Sequence, residues 1–273
     1  MRRRVECEMK KRNYQLIIGL SITCFFLILA LVGQFWTPYS PTEMNAAAVN
    51  VSPCFEHLLD TDNFGRDIFS RVMNGSGMTF LVAIGTVAIG AMIGTIVGAF
   101  TGYFGGWIDE VVMRLNDMLL SFPSVLLALI FISFLGPGTE NVILALGILF
   151  IPSFARIVRS EMIRCKELDY VKSAKVMGVS RFRIIFSHIL PNAKVSILTT
   201  AAIAFNNAVL SEASLSYLGL GLQPPMPSLG RMLSEAQGYL FSAPWYVIAP
   251  GVVIILIILG FSMISEGLRA MDQ

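Results

Sequence analysis

The stretch Tyr14-Gln-Leu-Ile-Ile-Gly-Leu-Ser-Ile-Thr-Cys-Phe-Phe-Leu-Ile-Leu-Ala-Leu-Val-Gly-Gln-Phe35 holds 22 residues and no charged side chain. A helix needs about 20 apolar residues to cross the hydrocarbon of a bilayer. The apolar part of a cleaved signal peptide is shorter, at about 7–15 residues. The stretch therefore predicts a retained transmembrane helix. The whole chain of 273 residues agrees, because only 14% of it is charged, against about 25% in soluble domains.

Five further stretches are apolar enough to cross a membrane: residues 78–100, 119–135, 141–155, 195–211 and 245–265. The shorter ones depend on neighbouring helices or flanking residues to complete the crossing. The sequence therefore predicts an all-α membrane protein with six transmembrane helices. Residues 36–77 are then an external segment, and residues 78–265 are a core of five further spans.

The distribution of Lys and Arg predicts which side each segment faces. With residues 1–13 inside, 17 of the 20 Lys and Arg lie in inner segments, and only Arg66, Arg71 and Arg231 lie outside. Inner segments of membrane proteins carry the excess of positive charge. Both the N-terminus and the tail, residues 266–273, are therefore expected in the cytoplasm.

Two spacings predict contacts of helices. Gly90, Gly94 and Gly98 lie four residues apart on one helix ridge, which is typical of close packing between membrane helices. Arg114 and Asp117 lie three residues apart on the inner approach to the third span, so we expect them to form an ion pair on one helix face.

Polar residues in the fifth span are the candidates for a translocation pathway: Asn206, Asn207, Ser211 and Glu212. Polar groups at membrane depth are costly unless they pair or face water. The alternative interpretation is structural, with the asparagines bonded between helices and Glu212 at the membrane interface.

The sequence lacks the constellations of a catalytic protein. His57 and His188 are the only histidines and are predicted on opposite sides of the membrane, so they cannot share a metal site. No HExxH, G-x-S-x-G or G-x-x-x-x-G-K-[ST] motif is present. We therefore expect no catalytic residue, no metal and no cofactor bound by this chain, which leaves a conduit, a carrier or an anchor.

Residues 156–194, here called the basic loop, carry nine Lys and Arg and three acidic groups. Helical spacing predicts a first short helix that ends at Gly178, with an apolar stripe of Leu168, Val171, Ala174 and Val176 or Met177. Ser180 can cap a second helix that Pro191 ends, with a stripe of Phe182, Ile185, Phe186 and Ile189. Two helices joined at a glycine turn indicate a docking site for a partner. The alternative is a basic hairpin resting on anionic headgroups.

The basic loop resembles a known segment. Asp169-Tyr-Val-Lys-Ser-Ala-Lys-Val-Met-Gly178 and Arg183-Ile-Ile-Phe-Ser-His-Ile-Leu-Pro-Asn192 are similar to the EAA loop of ABC importer permeases, the segment that engages the ATPase. Lys172 and Ser173 stand where the family pattern has Glu and Ala. The resemblance implies ATPase-coupling roles for Asp169, Tyr170, Val171, Ala174, Gly178, Phe182, His188 and Pro191.

Other segments extend the resemblance over nearly the whole chain. His57-Leu-Leu-Asp-Thr-Asp-Asn-Phe-Gly-Arg-Asp67 is similar to the HPLGTDxxGRD segment of the dipeptide, oligopeptide and nickel branch, in its second (C-type) permease, with Leu58 for Pro and Asp60 for Gly. Gly102-Tyr-Phe-Gly-Gly-Trp-Ile-Asp109, Ser216-Tyr-Leu-Gly-Leu-Gly-Leu-Gln-Pro-Pro225 and Ser242-Ala-Pro-Trp245 also match.

Two further predictions concern the outer side. Asp62 can cap an amphipathic helix that runs through Val72. Gln223-Pro-Pro-Met-Pro227 cannot be regular helix, so spans five and six are expected to surround a partly hydrated outer pocket there.

The resemblance implies the type I ABC importer permease fold and a subunit that supplies a pathway and a lever for ATP-driven import. The implied partners are a homologous second permease, two cytoplasmic ATPases that hold ATP and Mg, an extracytoplasmic binding protein and the lipid bilayer, with no nucleic acid. Peptides are the predicted substrate, and nickel or a metal chelate is the alternative. A secondary carrier or a channel is more distant, because no midspan carboxylate and no filter-like stretch is present.

Overall fold

The chain folds as a helical membrane protein. In the computed structural model, the backbone of residues 2–269 and the side chains of residues 14–269 are described. Within that range no strand occurs, and an isolated bridge joins Thr61 to Asp67. The helices are α1 (Arg2–Phe35), α2 (Ile68–Phe104), α3 (Gly106–Ser121), α4 (Ser124–Leu135), α5 (Thr139–Lys166), α6 (Asp169–Val176), α7 (Arg181–Arg183), α8 (Lys194–Tyr217), α9 (Leu229–Ala236) and α10 (Pro244–Arg269). Of the predicted cytoplasmic termini, residue 1, the side chains of 2–13, and residues 270–273 lie outside the described part.

Five helices are long and apolar enough to cross a membrane: Tyr14–Phe35, Ile68–Phe104, Thr139–Lys166, Arg181–Tyr217 and Pro244–Arg269. A sixth crossing is present if α3 and α4 are taken as one span, although they are bent by 95°. Pro123 causes the bend, because it has no N–H and forces Phe122 into an extended conformation. The six predicted spans agree with this architecture, but the predicted third span, residues 119–135, straddles the bend.

Helix α2 begins at Ile68, ten residues before the predicted second span. Asp67 caps it, since its carboxylate accepts a hydrogen bond from the backbone N–H of Ser70 at 2.7 Å. The predicted amphipathic helix that starts at Asp62 is therefore wrong. Gly65 has a φ of +73°, a left-handed conformation that cannot continue an α-helix, so regular structure begins only at Ile68.

Helix α2 packs closely against α5 along its ridge of glycines. A Cβ added to Gly90, Gly94 or Gly98 would come closer than 3.0 Å to atoms of α5. Backbones can approach in this way only where side chains are missing, and such approach stabilises helix pairs in lipid.

A cluster of aromatic rings joins α2, α8 and α10 near the centre of the molecule. The rings of Phe205 and Phe261 stack with their centres 3.7 Å apart, and Phe80 lies 5.6 Å from Phe205. Helix α1 is fastened to α10 separately, where Gly19 meets Gly260 without room for a Cβ on either residue. The spans therefore form one packed body around α2.

Candidate functional site

The first limb of the basic loop, α6, is anchored by its apolar face. Val171 and Ala174 are buried in a cluster with Val158 and Met162 of α5 and with Ile185 of the second limb. These two residues hold the loop against α5, and their predicted role in coupling to an ATPase stays a prediction. Gly178 ends the limb at a φ of +77°, the left-handed conformation predicted for it.

The tip of the basic loop exposes apolar side chains. Val176 is 88% exposed and Met177 is 75% exposed, and Tyr170, Phe182 and Phe186 are also exposed. Isolated exposed apolar residues are ordinary, but several on one short segment mark an interaction surface. The apolar residues predicted to form stripes on the two limbs are thus divided between a face that packs on the spans and a face that is exposed.

Asn192 connects the two limbs of the basic loop. Its side-chain amide donates to the carbonyl of His188 at 2.7 Å and to the hydroxyl of Tyr170 at 3.1 Å. Burial raises the pKa of Tyr170, and the hydrogen bond from Asn192 acts in the opposite sense. The predicted coupling residue His188 is half-buried, whereas Asp169, at the first turn of α6, and Pro191 are exposed.

The second limb does not end at Pro191, and this prediction is wrong. After α7 the chain forms a π-helix, Ile184–Ile189, then a 3₁₀-helix, Leu190–Ala193, and continues directly into α8. The wider π turn shifts the hydrogen bonds, so that Leu190 donates to Ile185, and Pro191 falls at the start of the 3₁₀ turn, where its missing N–H is tolerated. Ser180 precedes the limb but makes no side-chain cap.

The predicted pathway residues differ in burial. Asn207 is exposed, and Asn206 is half-buried with an amide oxygen that has no hydrogen-bond partner among the described residues. Ser211 and Glu212 are buried. Glu212 accepts hydrogen bonds from Thr79 of α2 at 3.2 Å and from Ser216 at 2.7 Å. Its candidate role in the pathway and its alternative place at the membrane interface both stay predictions.

The structure reveals a cavity with mixed apolar and polar lining that the sequence interpretation missed. It has a volume of about 580 Å³ and lies between the halves of α5 and α8 that adjoin the basic loop. Its polar lining consists of Ser153, Arg156, Ser160, Glu161, Ser196, Thr199, Thr200 and Arg269. The signal was present in the sequence, because polar residues recur at three- and four-residue spacing on each helix, at positions 153, 156 and 160 of α5 and at positions 196, 199 and 200 of α8, which lays them along one face.

An ion pair and a hydrogen bond engage two of the charged residues at this cavity, Arg156 and Glu161. Arg156 of α5 contacts Asp117 of α3 at 2.5 Å, and Ser196 donates to Glu161 at 3.0 Å. The predicted pair of Arg114 with Asp117 is therefore wrong. Arg114 instead pairs with Glu110 at 2.6 Å, in the favourable order in which the acid precedes the base by four residues.

A second polar site lies on the side predicted to be external and is called here the outer polar cluster: Asp62, Arg66, Arg71, Glu235 and Tyr246. Asp62 accepts from Arg66 Nε at 2.6 Å and from Arg71 Nη1. Glu235 accepts from both arginines and from the Tyr246 hydroxyl, each at 3.0 Å. Breaking a buried pair of this kind leaves an uncompensated charge, which is strongly destabilising. The cluster therefore fastens the outer segment to α2, α9 and α10.

The charges of the cluster set the ionisation of Glu235. Burial acts to raise the pKa of Glu235, but the positive charge of Arg71, a hydrogen bond from Arg231 and the charge of Arg66 outweigh it and lower the pKa below its ordinary value. Helix α9, which carries Glu235, packs with Met232 and Ala236 buried between α8 and α10. The preceding stretch, residues 223–227, is not helical, as predicted, and residues 223–226 are exposed, while the hydrated pocket expected there stays a prediction.

Comparison with known proteins gives one matching family model. Residues 94–270 match the model described as the binding-protein-dependent transport system inner membrane component. The dipeptide transport system permease protein DppC of Alkalihalophilus pseudofirmus is 41% identical over 259 residues, which cover 95% of this chain and 85% of that protein. The DppC protein of Haemophilus influenzae is 36% identical over 95% of this chain and 90% of that protein. The glutathione transport system permease protein GsiD of Pectobacterium atrosepticum is 39% identical over 89% of this chain and 83% of that protein.

Among solved structures, the chain is similar to one from an inward-facing form of the MetNI methionine ABC transporter. The TM-score is 0.60 at 19% sequence identity, over 74% of this chain and 96% of the other. At that identity the similarity concerns the fold alone.

Proposed function

The chain belongs to the family of binding-protein-dependent transport system inner membrane components, and we propose from that membership that it forms the peptide pathway of an ATP-driven importer. It is a multi-pass subunit of the cell membrane and is not catalytic, since ATP hydrolysis in this family belongs to separate ATPases. It works with other components of an ABC transporter. In the proposal these are a second permease, two ATPases and an extracytoplasmic binding protein, and both termini of the chain lie in the cytoplasm.

The tip of the basic loop is the proposed contact with the ATPase. Val176, Met177 and Phe182 offer an exposed apolar surface, while Val171 and Ala174 bury the other face of the loop against α5. This division is the observation that carries the proposal. A force applied to the tip is transmitted to the spans, because the anchored face cannot slide without exposing buried side chains. The predicted coupling residues then have different roles, with Tyr170, Phe182 and the tip in contact and Val171 and Ala174 in transmission.

The cavity between α5 and α8 is the proposed inner part of the pathway. A peptide carries amide groups and charged ends, and these need hydrogen-bonding partners when they leave water. The hydroxyl groups of Ser153, Ser160 and Thr200 supply such partners at low charge. Asn206 lies on α8 one turn beyond Ile203, a residue of the cavity lining, and extends the polar surface outward.

The proposed substrate is a short peptide. The relatives described above are dipeptide and glutathione permeases by name, and glutathione is itself a peptide. Nothing in these relatives favours nickel or a metal chelate, and among the described residues no group of three or more His, Cys, Asp or Glu could hold a metal ion.

The test uses the chain expressed with its partner subunits and reconstituted in vesicles. We expect ATP-dependent accumulation of a labelled dipeptide when the loaded binding protein is present. The double variant Val176→Glu/Met177→Glu should lose both accumulation and co-purification of the ATPases. The control Phe241→Glu changes a residue that is 96% exposed on the opposite side, and it should retain the ATPases. Accumulation of dipeptide by this chain without any ATPase would refute the proposal.

A further inference from the structure

A second cavity lies where the basic loop meets the inner end of α2. It has a volume of about 480 Å³ and is lined by Tyr103, Phe104, Lys175, Val179, Arg181 and Ile184. The proposed coupling contact does not use this cavity, because the exposed Val176 and Met177 are not part of its lining.

Two cations of the loop face this cavity. Lys175 Nζ lies 5.6 Å from the centre of the Tyr103 ring, and the guanidinium carbon of Arg181 lies 6.0 Å from the centre of the Phe104 ring. Contacts of this kind hold a cation over an aromatic face. Both charges are therefore turned back toward the end of a membrane span. Across residues 14–269, neither forms an ion pair with a carboxylate.

Helix α3 begins two residues after Phe104, which lines this cavity. Its exposed face is an apolar stripe of Trp107, Ile108, Val111, Leu115 and Met118. Its polar face pairs with α5, with Asp109 accepting from Arg159 at 2.6 Å and Asp117 accepting from Arg156 at 2.5 Å.

The bend after α3 gives its direction. Helices α3 and α4 are bent by 95°, so α3 lies across the direction of α4, as an amphipathic helix does when it lies in the membrane interface. The cavity beside the start of α3 is then at the level of the lipid headgroups.

We propose that the cavity binds the headgroup of an anionic phospholipid, with the phosphate between Lys175 and Arg181. The exposed rings of Phe104 and Trp107 border the acyl chains. A basic pocket next to the end of a membrane span is the chemistry that recognises such headgroups. The assignment to the inner leaflet rests on the proposed function, which puts the basic loop in the cytoplasm. A lipid bound here joins the loop, the end of α2 and the membrane surface.

The test is photo-crosslinking of the assembled transporter in vesicles of phosphatidylcholine mixed with a photoactivatable phosphatidylglycerol. The variant Lys175→Gln/Arg181→Gln removes the two cavity cations. The matched control Lys172→Gln/Arg183→Gln removes two exposed cations of the same loop that do not line the cavity. Each cation near an anionic surface contributes about fivefold, so we expect labelling of α2 and the loop to fall roughly thirty-fold in the first variant only, which is about 2 kcal/mol.

Two further measurements keep the result interpretable. The charge-retaining variant Lys175→Arg/Arg181→Lys should restore labelling, which a merely misfolded loop would not do. Equal labelling in the cavity and control variants would overturn the inference. Normal labelling combined with loss of the ATPases from the cavity variant would also overturn it, because the cations would then face acidic groups of an ATPase. Dipeptide accumulation measured in the same vesicles reports the proposed function separately.

Discussion

Replacing Gly178 by Val tests whether the turn of the basic loop transmits motion. Gly178 has a φ of +77°, and no atom lies within 4 Å of the position of an added Cβ, so the cost of the substitution is in the backbone and not in a clash. A side chain in the left-handed region costs about 1–2 kcal/mol, which lowers the population of the native turn by roughly 5- to 30-fold. We therefore expect a chain that inserts and assembles but couples poorly.

The matched control for this substitution is Gly219→Val. Gly219 has a φ of +80° and equally open surroundings, but it follows α8 at its outer end, so it carries the same strain without touching the basic loop. A graded variant is Gly178→Asn, because Asn enters the left-handed region more readily than Val.

The assay compares two quantities in vesicles with the loaded binding protein: ATP hydrolysed and dipeptide accumulated. Gly178→Val should lower accumulation per ATP, Gly178→Asn should retain most of it, and Gly219→Val should leave the ratio at the level of the parent chain. If Gly178→Val and Gly219→Val gave the same ratio, the turn would have no role in coupling.

Three other substitutions test the packing, the outer polar cluster and the pathway. Gly94→Ala places a Cβ against α5 and should lower the free energy of unfolding by about 1–3 kcal/mol. The control Gly238→Ala adds a Cβ that meets no atom within 4 Å and should leave the free energy of unfolding unchanged. Equal melting temperatures of the two variants would contradict the close packing of α2 on α5. Glu235 has a lowered pKa in the fold, so the stabilisation from its charge is complete above the ordinary pKa near 4.5 and is lost as the pH falls through the folded pKa. The variant Glu235→Gln should lose roughly 3 kcal/mol of stability at neutral pH. The difference in melting temperature between this variant and the parent chain should shrink on acidification. Thr200→Cys, in a cysteine-free background, should react with an impermeant thiol reagent only from the inner side, while Thr79→Cys, which is buried, should not react.

The parts of the fold that follow from local pattern could be predicted from the sequence. Apolar length sets the spans, and four-residue spacing of glycines sets a packing ridge, because both depend on one helix at a time. The left-handed turn at Gly178 was also predictable, since few other residues adopt that conformation. The family itself is recognisable from the EAA-like segment of the basic loop.

The parts that depend on distant partners could not be predicted. Arg66 forms a hydrogen bond with Glu235, which is 169 residues away along the chain, so the sequence near Arg66 does not indicate that this residue is buried. Asp117 similarly forms its ion pair with Arg156 and not with Arg114, which is nearer in the sequence, because tertiary packing brings α5 beside α3. The sequence likewise does not show that Glu212 of α8 accepts a hydrogen bond from Thr79 of α2.

The cavity between α5 and α8 illustrates the same limit in a different way. Each helix carries its own row of hydroxyl groups, but a row on a single helix is equally consistent with bonds to that helix's own carbonyls. Thr200, for example, also donates to the carbonyl of Ser196 at 2.7 Å. Only the arrangement of the two helices turns the separate rows into one polar surface.

The helical path from the basic loop into the membrane is continuous, although it passes through a π turn and a 3₁₀ turn. Counted through these turns, Arg181–Tyr217 has 37 residues and is about 55 Å long. If an ATPase tilts one end of such a helix by a few degrees, its far end moves sideways by several ångströms. Motion at the basic loop and motion at the far end of α8 would then be linked by one continuous helix, with the π and 3₁₀ turns as the places where it can bend.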